Sequence, residues 1–245
     1  QDELAALLEW THVIKRLTLA PELTGAMDAT QAMSEAGVLV CAGHTDATYA
    51  EMVVAMERGL SHVTHLWNQT SSVSKQGPYR RGGCVEAALL EDGLTVELIA
   101  DGHHLPPELM RLALKCKDVD RVCIVTDATR GTGMPEGTTW AAGPKDSKVK
   151  GVIQSGVSVL PDGTAFAGSV ATMDRLVRNA VTQIGLPLTE AIRIATSTPA
   201  QIVAESQRKG SLAPGKDADI VVLDRSLNVF ETIVLGETVY RASKD

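Results

Sequence analysis

The chain has 245 residues, a hydrophobic fraction of 44% and a formal net charge of −7. This composition supports a sizeable core and excludes a disordered chain, and no apolar run reaches the roughly 18 residues of a membrane span, so we expect no membrane association. The negative charge argues against nucleic acid as a partner, because phosphate backbones attract basic surfaces. The four cysteines lack CxxC spacing and three of them lie in apolar runs, which predicts reduced core cysteines in a cytoplasmic protein.

The first half of the chain predicts repeating β/α units of a parallel sheet with helical crossovers. The predicted strands span residues 16–22, 38–43, 61–66, 94–101 and 121–127. A glycine-rich excursion with a β-hairpin is predicted at about 146–168. From residue 210 the pattern changes to short strands, so we predict a barrel-type α/β domain over residues 1–209 and strands of a small β domain over 210–245.

Every predicted strand ends in, or next to, a residue that binds metals or moves protons. These residues are Glu22, His44, His65, Asp101 with His103 and His104, and Asp127. A buried strand needs no such residue in order to fold, and the carboxyl ends of barrel strands carry the chemistry. His44 and His65 are therefore candidate ligands of one divalent ion, for which we expect zinc because neutral imidazoles suit it. Asp127 is the candidate general acid and base.

Four segments resemble a known family: His44-Thr-Asp-Ala-Thr, Thr64-His-Leu-Trp-Asn68, Ala100-Asp-Gly-His-His104 and Val125-Thr-Asp-Ala128. Together they resemble the motifs of N-acetylglucosamine-6-phosphate deacetylases in the amidohydrolase superfamily. The resemblance implies an α/β fold, a (β/α)8 TIM-like barrel of the metal-dependent hydrolase type. Strands four to eight of that barrel would be present here, with part of a small β-sandwich domain.

The resemblance also implies roles for individual residues. In the family, two histidines at strand ends bind one or two metal ions, which implies that His44 and His65 are metal ligands. An aspartate of the family transfers protons, which implies this role for Asp127. In the family an arginine binds the phosphate of the substrate, and the neighbouring subunit often supplies it. Arg80 matches this arginine, so the resemblance implies a homodimer. Guanidinium suits that task because it offers fixed, bidentate donors. The implied substrate pocket is lined by Asn68, Gln69, Asp101, Gly102, His103, His104, Phe166, Ala167 and Gly168.

Some family features are absent or altered. The family's third metal ligand is a glutamate at the end of the third strand, and we expect it in an N-terminal third that this sequence lacks. Glu22 belongs to the next strand and is not that ligand. Gln69 stands where the family favours a small residue, and the arginine loop departs from the family's Arg-Glu-Pro-Gly.

The expected reaction is metal-dependent deacetylation of N-acetylglucosamine 6-phosphate to glucosamine 6-phosphate and acetate. Two alternatives remain open. The first is a related amidohydrolase that acts on another N-acyl sugar or on a cyclic amide. The second is a catalytically incomplete fragment that only binds a sugar phosphate.

Overall fold

The computed structural model describes residues 2–141, 143 and 149–243. Its helices are α1 (Asp2–Leu8), α2 (Ala26–Glu35), α3 (Tyr49–Glu57), α4 (Cys84–Leu90), α5 (Pro107–Cys116), α6 (Met173–Asn179), α7 (Leu188–Ala195) and α8 (Ser197–Ile202), and a π-helical segment spans Ala180–Ile184. Its strands are β1 (Arg16–Leu19), β2 (Leu39–Ala42), β3 (Leu60–Val63), β4 (Ser74–Gln76), β5 (Tyr79–Arg81), β6 (Thr95–Ile99), β7 (Val122–Val125), β8 (Thr139–Ala141), β9 (Lys150–Gln154), β10 (Val157–Val159), β11 (Ile220–Leu223), β12 (Val229–Val234) and β13 (Glu237–Arg241). In this described part of the chain, no helix is long and apolar enough to cross a membrane.

Two compact units divide the chain. The first unit comprises Gln1–Leu98, Leu112–Cys123 and Thr198–Ser206, and the second comprises Ile99–Arg111, Ile124–Ser197 and Gln207–Asp245.

The five predicted parallel strands form one sheet in the order β1-β2-β3-β6-β7, which confirms the predicted TIM-type architecture. The pairs β1–β2, β2–β3 and β3–β6 are parallel. β2 and β6 are buried along almost their whole length, as expected for strands covered on both faces. In the first unit Met33 of α2 packs with Val38 and Val40, so the helix covers the sheet with its apolar face.

The strands are shorter than predicted at their carboxyl ends. His44, His65, Asp101 and Asp127 each lie two residues beyond the last residue of β2, β3, β6 and β7. Each of these residues therefore belongs to the loop that follows its strand, where the backbone is free to turn.

The second unit contains two antiparallel sheets, β10-β9-β8 and β11-β12-β13. The hairpin β9–β10 lies within residues 146–168, where the excursion is predicted; residues 146–148 lie outside the described residues, and the extent of the excursion stays a prediction. The sheet β11-β12-β13 lies where strands of a small β domain are predicted, and the domain boundary at residue 209 stays a prediction. In the first unit, the sequence does not predict the hairpin β4–β5 or the helix α4.

Candidate metal and substrate site

The two predicted metal ligands face each other in the first unit. The Nε2 atoms of His44 and His65 are 3.1 Å apart, and the rings meet nearly edge to face. His65 is buried and His44 is exposed, so the nitrogen pair is reachable from one side. Two imidazoles that aim the same atom at one point can share a cation. Two nitrogens on one tetrahedral zinc ion lie about 3.3 Å apart, given Zn–N bonds of about 2.0–2.1 Å, so the observed spacing fits a divalent ion.

A cavity of about 430 Å³ opens beside this pair, lined by His44, Thr45, Asp46, Gln69 and Thr70. Its two wall segments are joined because the Thr45 N–H donates to the Gln69 carbonyl at 2.9 Å. This volume is within the size range of small-molecule sites.

Glu22 lies behind the cavity wall. Its carboxylate accepts the Thr45 hydroxyl at 2.5 Å and the Asp46 N–H at 2.7 Å. Glu22 therefore fixes the loop that follows His44, which agrees with its exclusion as a metal ligand.

A buried polar network lies behind His65. Arg16 donates to both carboxylate oxygens of Glu97, at 2.7 and 3.2 Å, and to the Thr64 hydroxyl at 2.9 Å. Glu97 in turn accepts the backbone N–H of His65 at 3.3 Å. Burial by itself would raise the pKa of Glu97, but hydrogen bonds from His62 and Arg16 outweigh it and hold the pKa at about 2. The carboxylate is therefore ionised and supports the backbone at His65.

His62, Glu97 and Cys123 form a second group of possible metal donors within 4.8 Å of one another. It does not fit a cation. The Arg16 guanidinium already occupies the Glu97 carboxylate, and burial raises the pKa of the Cys123 thiol. Burial also lowers the pKa of His62, and the neutral ring donates from Nε2 to Glu97 at 3.3 Å. His62 is thus part of the buried network around Glu97.

The second unit contains a carboxylate–imidazole pair. Asp101 is fully buried, and its two oxygens accept three hydrogen bonds of 2.7–2.9 Å from the backbone N–H groups of His103 and His104 and from the His104 Nδ1. Burial by itself would raise the pKa of Asp101, but these bonds, above all the one from the His104 ring, hold it at about 2. The ring of Phe166 packs against His104 at a centroid distance of 4.7 Å. With Nδ1 directed at Asp101, the Nε2 edge of His104 is left for a ligand.

His103 has a different partner. Arg175 donates to its Nε2 at 2.8 Å and to the Gly156 carbonyl at 2.8 Å, so His103 is a neutral acceptor that is tied to the turn of the hairpin β9–β10. Arg175 was not predicted, and no local pattern distinguishes it from other arginines on helix surfaces.

The end of α6 and the π-helical segment that follows it support the loop after β6. Asn179 is buried and donates to the Ala100 carbonyl at 2.9 Å, and Gln183 donates to Asn179 at 3.2 Å. Gly102 has φ of +86°, and a Cβ atom there would lie 3.3 Å from both amide groups. Glycine is therefore favoured at position 102 by its backbone conformation and by the close approach of these side chains.

Asp127 lies in an exposed turn of the second unit with φ of +47°. Its carbonyl accepts the Ser169 N–H at 3.0 Å, and the Thr129 N–H donates to the Ser169 carbonyl at 2.9 Å. Gly168 has φ of +73°, and a Cβ there would lie 2.5 Å from the Thr129 methyl group. Ala167 continues this segment, with its N–H bonded to the Ser158 carbonyl at 2.8 Å.

The remaining predicted residues belong to the first unit. Asn68 donates its amide to the carbonyls of His65 and Leu66, at 3.2 and 3.3 Å, and Gln69 adopts φ of +52° at the cavity wall. Arg80 lies exposed on β5. The structure thus brings His44, His65 and Gln69 into one region of this unit.

The pattern of the amidohydrolase family matches residues 16–239. The chain belongs to the amidohydrolase family. This amidohydrolase is similar to the N-acetylglucosamine-6-phosphate deacetylase of Lysinibacillus sphaericus, with 35% identity over 240 residues that cover 96% of this chain and 59% of the relative. It is also similar to the N-acetylgalactosamine-6-phosphate deacetylase of Escherichia coli O157:H7, with 33% identity over 236 residues that cover 96% and 59%.

Solved structures agree with the fold of this amidohydrolase. The N-acetylglucosamine-6-phosphate deacetylase of Pasteurella multocida superposes with a TM-score of 0.87 at 32% identity, over 97% of this chain and 59% of that one. A mutant of the Mycobacterium smegmatis enzyme in complex with N-acetyl-D-glucosamine-6-phosphate gives a TM-score of 0.88 at 32% identity, over 97% and 61%. The chain therefore spans about three fifths of the length of these relatives.

Proposed function

We propose that this amidohydrolase is part of a metal-dependent deacetylase acting on an N-acetylhexosamine 6-phosphate, with N-acetylglucosamine 6-phosphate as the first choice. The products are the free amino-sugar phosphate and acetate. The observation that carries the proposal is the 3.1 Å approach of the His44 and His65 Nε2 atoms beside the cavity. The names of the similar enzymes support the substrate class.

His44 and His65 would hold the divalent ion, for which zinc suits the imidazole donors. When bound there, such an ion polarises a carbonyl and lowers the pKa of water. The Glu97 carboxylate supports the backbone of His65, and Glu22 supports the loop after His44, so both ligands are oriented before an ion arrives. The remaining carboxylate ligand is assigned to a glutamate outside this sequence.

Asp127 is assigned the proton transfers. Its carboxylate accepts a proton from the attacking water and returns it to the amine nitrogen as the C–N bond breaks. Replacement by asparagine removes the base and keeps the side-chain shape. We expect Asp127→Asn to lower kcat by at least about 100-fold, the lower end for general acid–base catalysis.

The sugar-binding role is assigned to the loops that follow β3, β6 and β10. His104, oriented by Asp101 and packed on Phe166, offers Nε2 to the substrate. Asn68, Gln69, Gly102, His103, Ala167 and Gly168 complete the proposed pocket. Arg80 binds the 6-phosphate, and in the proposed homodimer it does so in the site of the neighbouring subunit. The proposed location is the cytoplasm, with no nucleic acid or membrane as partner.

The deciding experiment uses the purified full-length protein that contains this chain, with all the proposed metal ligands. It measures acetate release from four sugars: N-acetylglucosamine and N-acetylgalactosamine, each with and without 6-phosphate. We expect turnover of a phosphorylated sugar, loss of turnover with a chelator, and recovery with zinc. Turnover of N-acetylgalactosamine 6-phosphate above that of its epimer would select this second sugar, which is the one in the name of the Escherichia coli relative. If neither phosphorylated sugar releases acetate in the presence of metal, the proposal is wrong.

A separate measurement tests the metal ligands. His44→Asn should lower the metal content of the purified protein well below that of the unchanged protein. His12→Asn is the matched control, because His12 is exposed and stacks on Trp10. Equal metal content in both variants would remove His44 from its assigned role.

A further inference from the structure

An exposed hairpin follows the cavity wall of the first unit. β4 and β5 are antiparallel, and the register pairs Ser74 with Arg81, Lys75 with Arg80 and Gln76 with Tyr79. Gly77 has φ of +58° and is followed by Pro78, which suits a two-residue type II′ turn. The register is therefore fixed by the turn.

This register decides which basic residues act together. Directly opposite residues share one face of the hairpin, with Cβ atoms about 4.5–5.5 Å apart, so Lys75 and Arg80 project side by side. Successive residues of a strand point to opposite faces, so Arg81 projects away from Arg80. The natural neighbour of Arg80 is thus Lys75, and not the arginine next to it in sequence.

The pairing of Lys75 with Arg80 is costly on its own. Like charges directly opposite each other on a strand pair repel. Across the described residues, neither side chain forms an ion pair or a side-chain hydrogen bond, and both are exposed. Two convergent cations that no acidic residue neutralises form a place for a doubly charged anion, where Arg supplies a fixed fork and Lys a point charge.

The base of the hairpin is tied to the cavity wall. Ser71 donates its N–H to the Thr45 carbonyl at 2.9 Å, and its own carbonyl accepts the Val85 N–H at 3.0 Å. The Ser71 hydroxyl accepts the Cys84 N–H at 2.9 Å. Both ends of the hairpin segment are therefore held at Ser71, next to the wall residue Thr45, while its tip extends into solvent.

We propose that Lys75 is a second phosphate-binding residue, which acts with Arg80 on the phosphate monoester of the substrate. This inference rests on the proposed function. The alternative explanation of these charges is that they prevent the exposed strands from pairing with another chain. In that role, residues on the two faces of the hairpin would be equivalent. An experiment must therefore compare the face that bears Lys75 and Arg80 with the face that bears Arg81.

Three variants with the same charge change separate the roles: Lys75→Gln, Arg80→Gln and Arg81→Gln. Acetate release is measured against the concentration of the phosphorylated sugar, with inorganic phosphate as a competing inhibitor. We expect Lys75→Gln to raise KM and the inhibition constant of phosphate each by about tenfold with little change in kcat, as for one lost charge-assisted contact. Arg80→Gln should act in the same direction, and Arg81→Gln should change both constants less than about twofold.

The outcomes distinguish this inference from the function on which it rests. If Arg80→Gln weakens phosphate binding and Lys75→Gln behaves like Arg81→Gln, Lys75 has no such role and the proposed function stands. If Arg80→Gln and Lys75→Gln are both silent, the assignment of Arg80 falls as well. If Lys75→Gln and Arg81→Gln act equally, the effect comes from net charge and the face-specific inference is wrong.

Discussion

Arg16→Met is predicted to destabilise the protein strongly, because it leaves the Glu97 carboxylate buried without its cation. The Glu97 side chain is 5% exposed, and Arg16 donates to both of its oxygens. Removing one partner of such a pair costs about 3–5 kcal/mol. The pKa of Glu97 agrees in sign: hydrogen bonds from His62 and Arg16 together outweigh burial and hold it at about 2 instead of 4.5, which corresponds to about 3 kcal/mol shared between the two partners.

The pH dependence follows from the same pKa. The folded value lies below the unfolded one, so the unfolded chain binds more protons as the pH falls below about 4.5. The stabilisation is fully present above the unfolded pKa and is lost as the pH falls towards 2. Between pH 7 and pH 3 the loss amounts to about 2 kcal/mol. Arg16 supplies part of this stabilisation, so the difference between the unchanged protein and Arg16→Met should shrink as the pH falls from 7 to 3.

The assay is urea unfolding at a series of pH values, with Lys15→Met as the matched control. The substitution Lys15→Met removes the same charge at the neighbouring position. Lys15 forms a 2.8 Å ion pair with Glu205, but its side chain is 63% exposed, so the substitution should lower the free energy of unfolding by less than about 1 kcal/mol. Adding Glu97→Gln to Arg16→Met should recover part of the loss, because no unpaired charge stays buried. An Arg16→Met cost under about 1 kcal/mol, or a cost independent of pH, would refute the reasoning.

Two further predictions concern the second unit. Asp101→Asn should lower kcat/KM for acetate release by about 10–100-fold, because the ionised acceptor that orients His104 is lost; an unchanged kcat/KM would show that His104 needs no such support. Gly168→Ala should lower the unfolding temperature more than Gly133→Ala does. Both glycines have positive φ, but a Cβ meets the Thr129 methyl at 2.5 Å only at Gly168 and nothing within 4 Å at Gly133. Equal shifts would mean that backbone strain alone accounts for the effect.

The positions of the parallel strands, and of the candidate site residues that follow them, could be proposed from the sequence because both are local signals. An apolar run bounded by glycine and polar residues marks a buried strand, and the residue after the run is visible in the sequence. The supporting contacts were not predictable in this way. Arg16 meets Glu97 across 81 positions, and Arg175 meets His103 across 72. Such pairs depend on the register between strands and on helix packing, which no single segment encodes.

For the hairpin β4–β5, the sequence indicates the turn but not which side chains lie opposite each other. Gly77-Pro78 is a turn signal. Only the register shows that Lys75 is the partner of Arg80 and that Arg81 faces away. Sequence adjacency favours the wrong neighbour here, because the side-chain period of a strand is two.

Three of the candidate site residues share an uncommon backbone conformation. His44, His65 and Asp127 have φ of +49°, +32° and +47°, and each lies two residues beyond a strand of the parallel sheet. Non-glycine residues in this region are uncommon, and each costs about 1–3 kcal/mol unless its surroundings enforce the conformation. Six other non-glycine residues of the described chain also have positive φ, among them Ala204, Leu227 and Leu235, so the conformation alone does not mark a site. Histidine and aspartate adopt it more readily than most residues. What distinguishes His44, His65 and Asp127 is the combination of this conformation with a position just after a strand of the parallel sheet, where the backbone turns away and the side chain stays at the sheet edge.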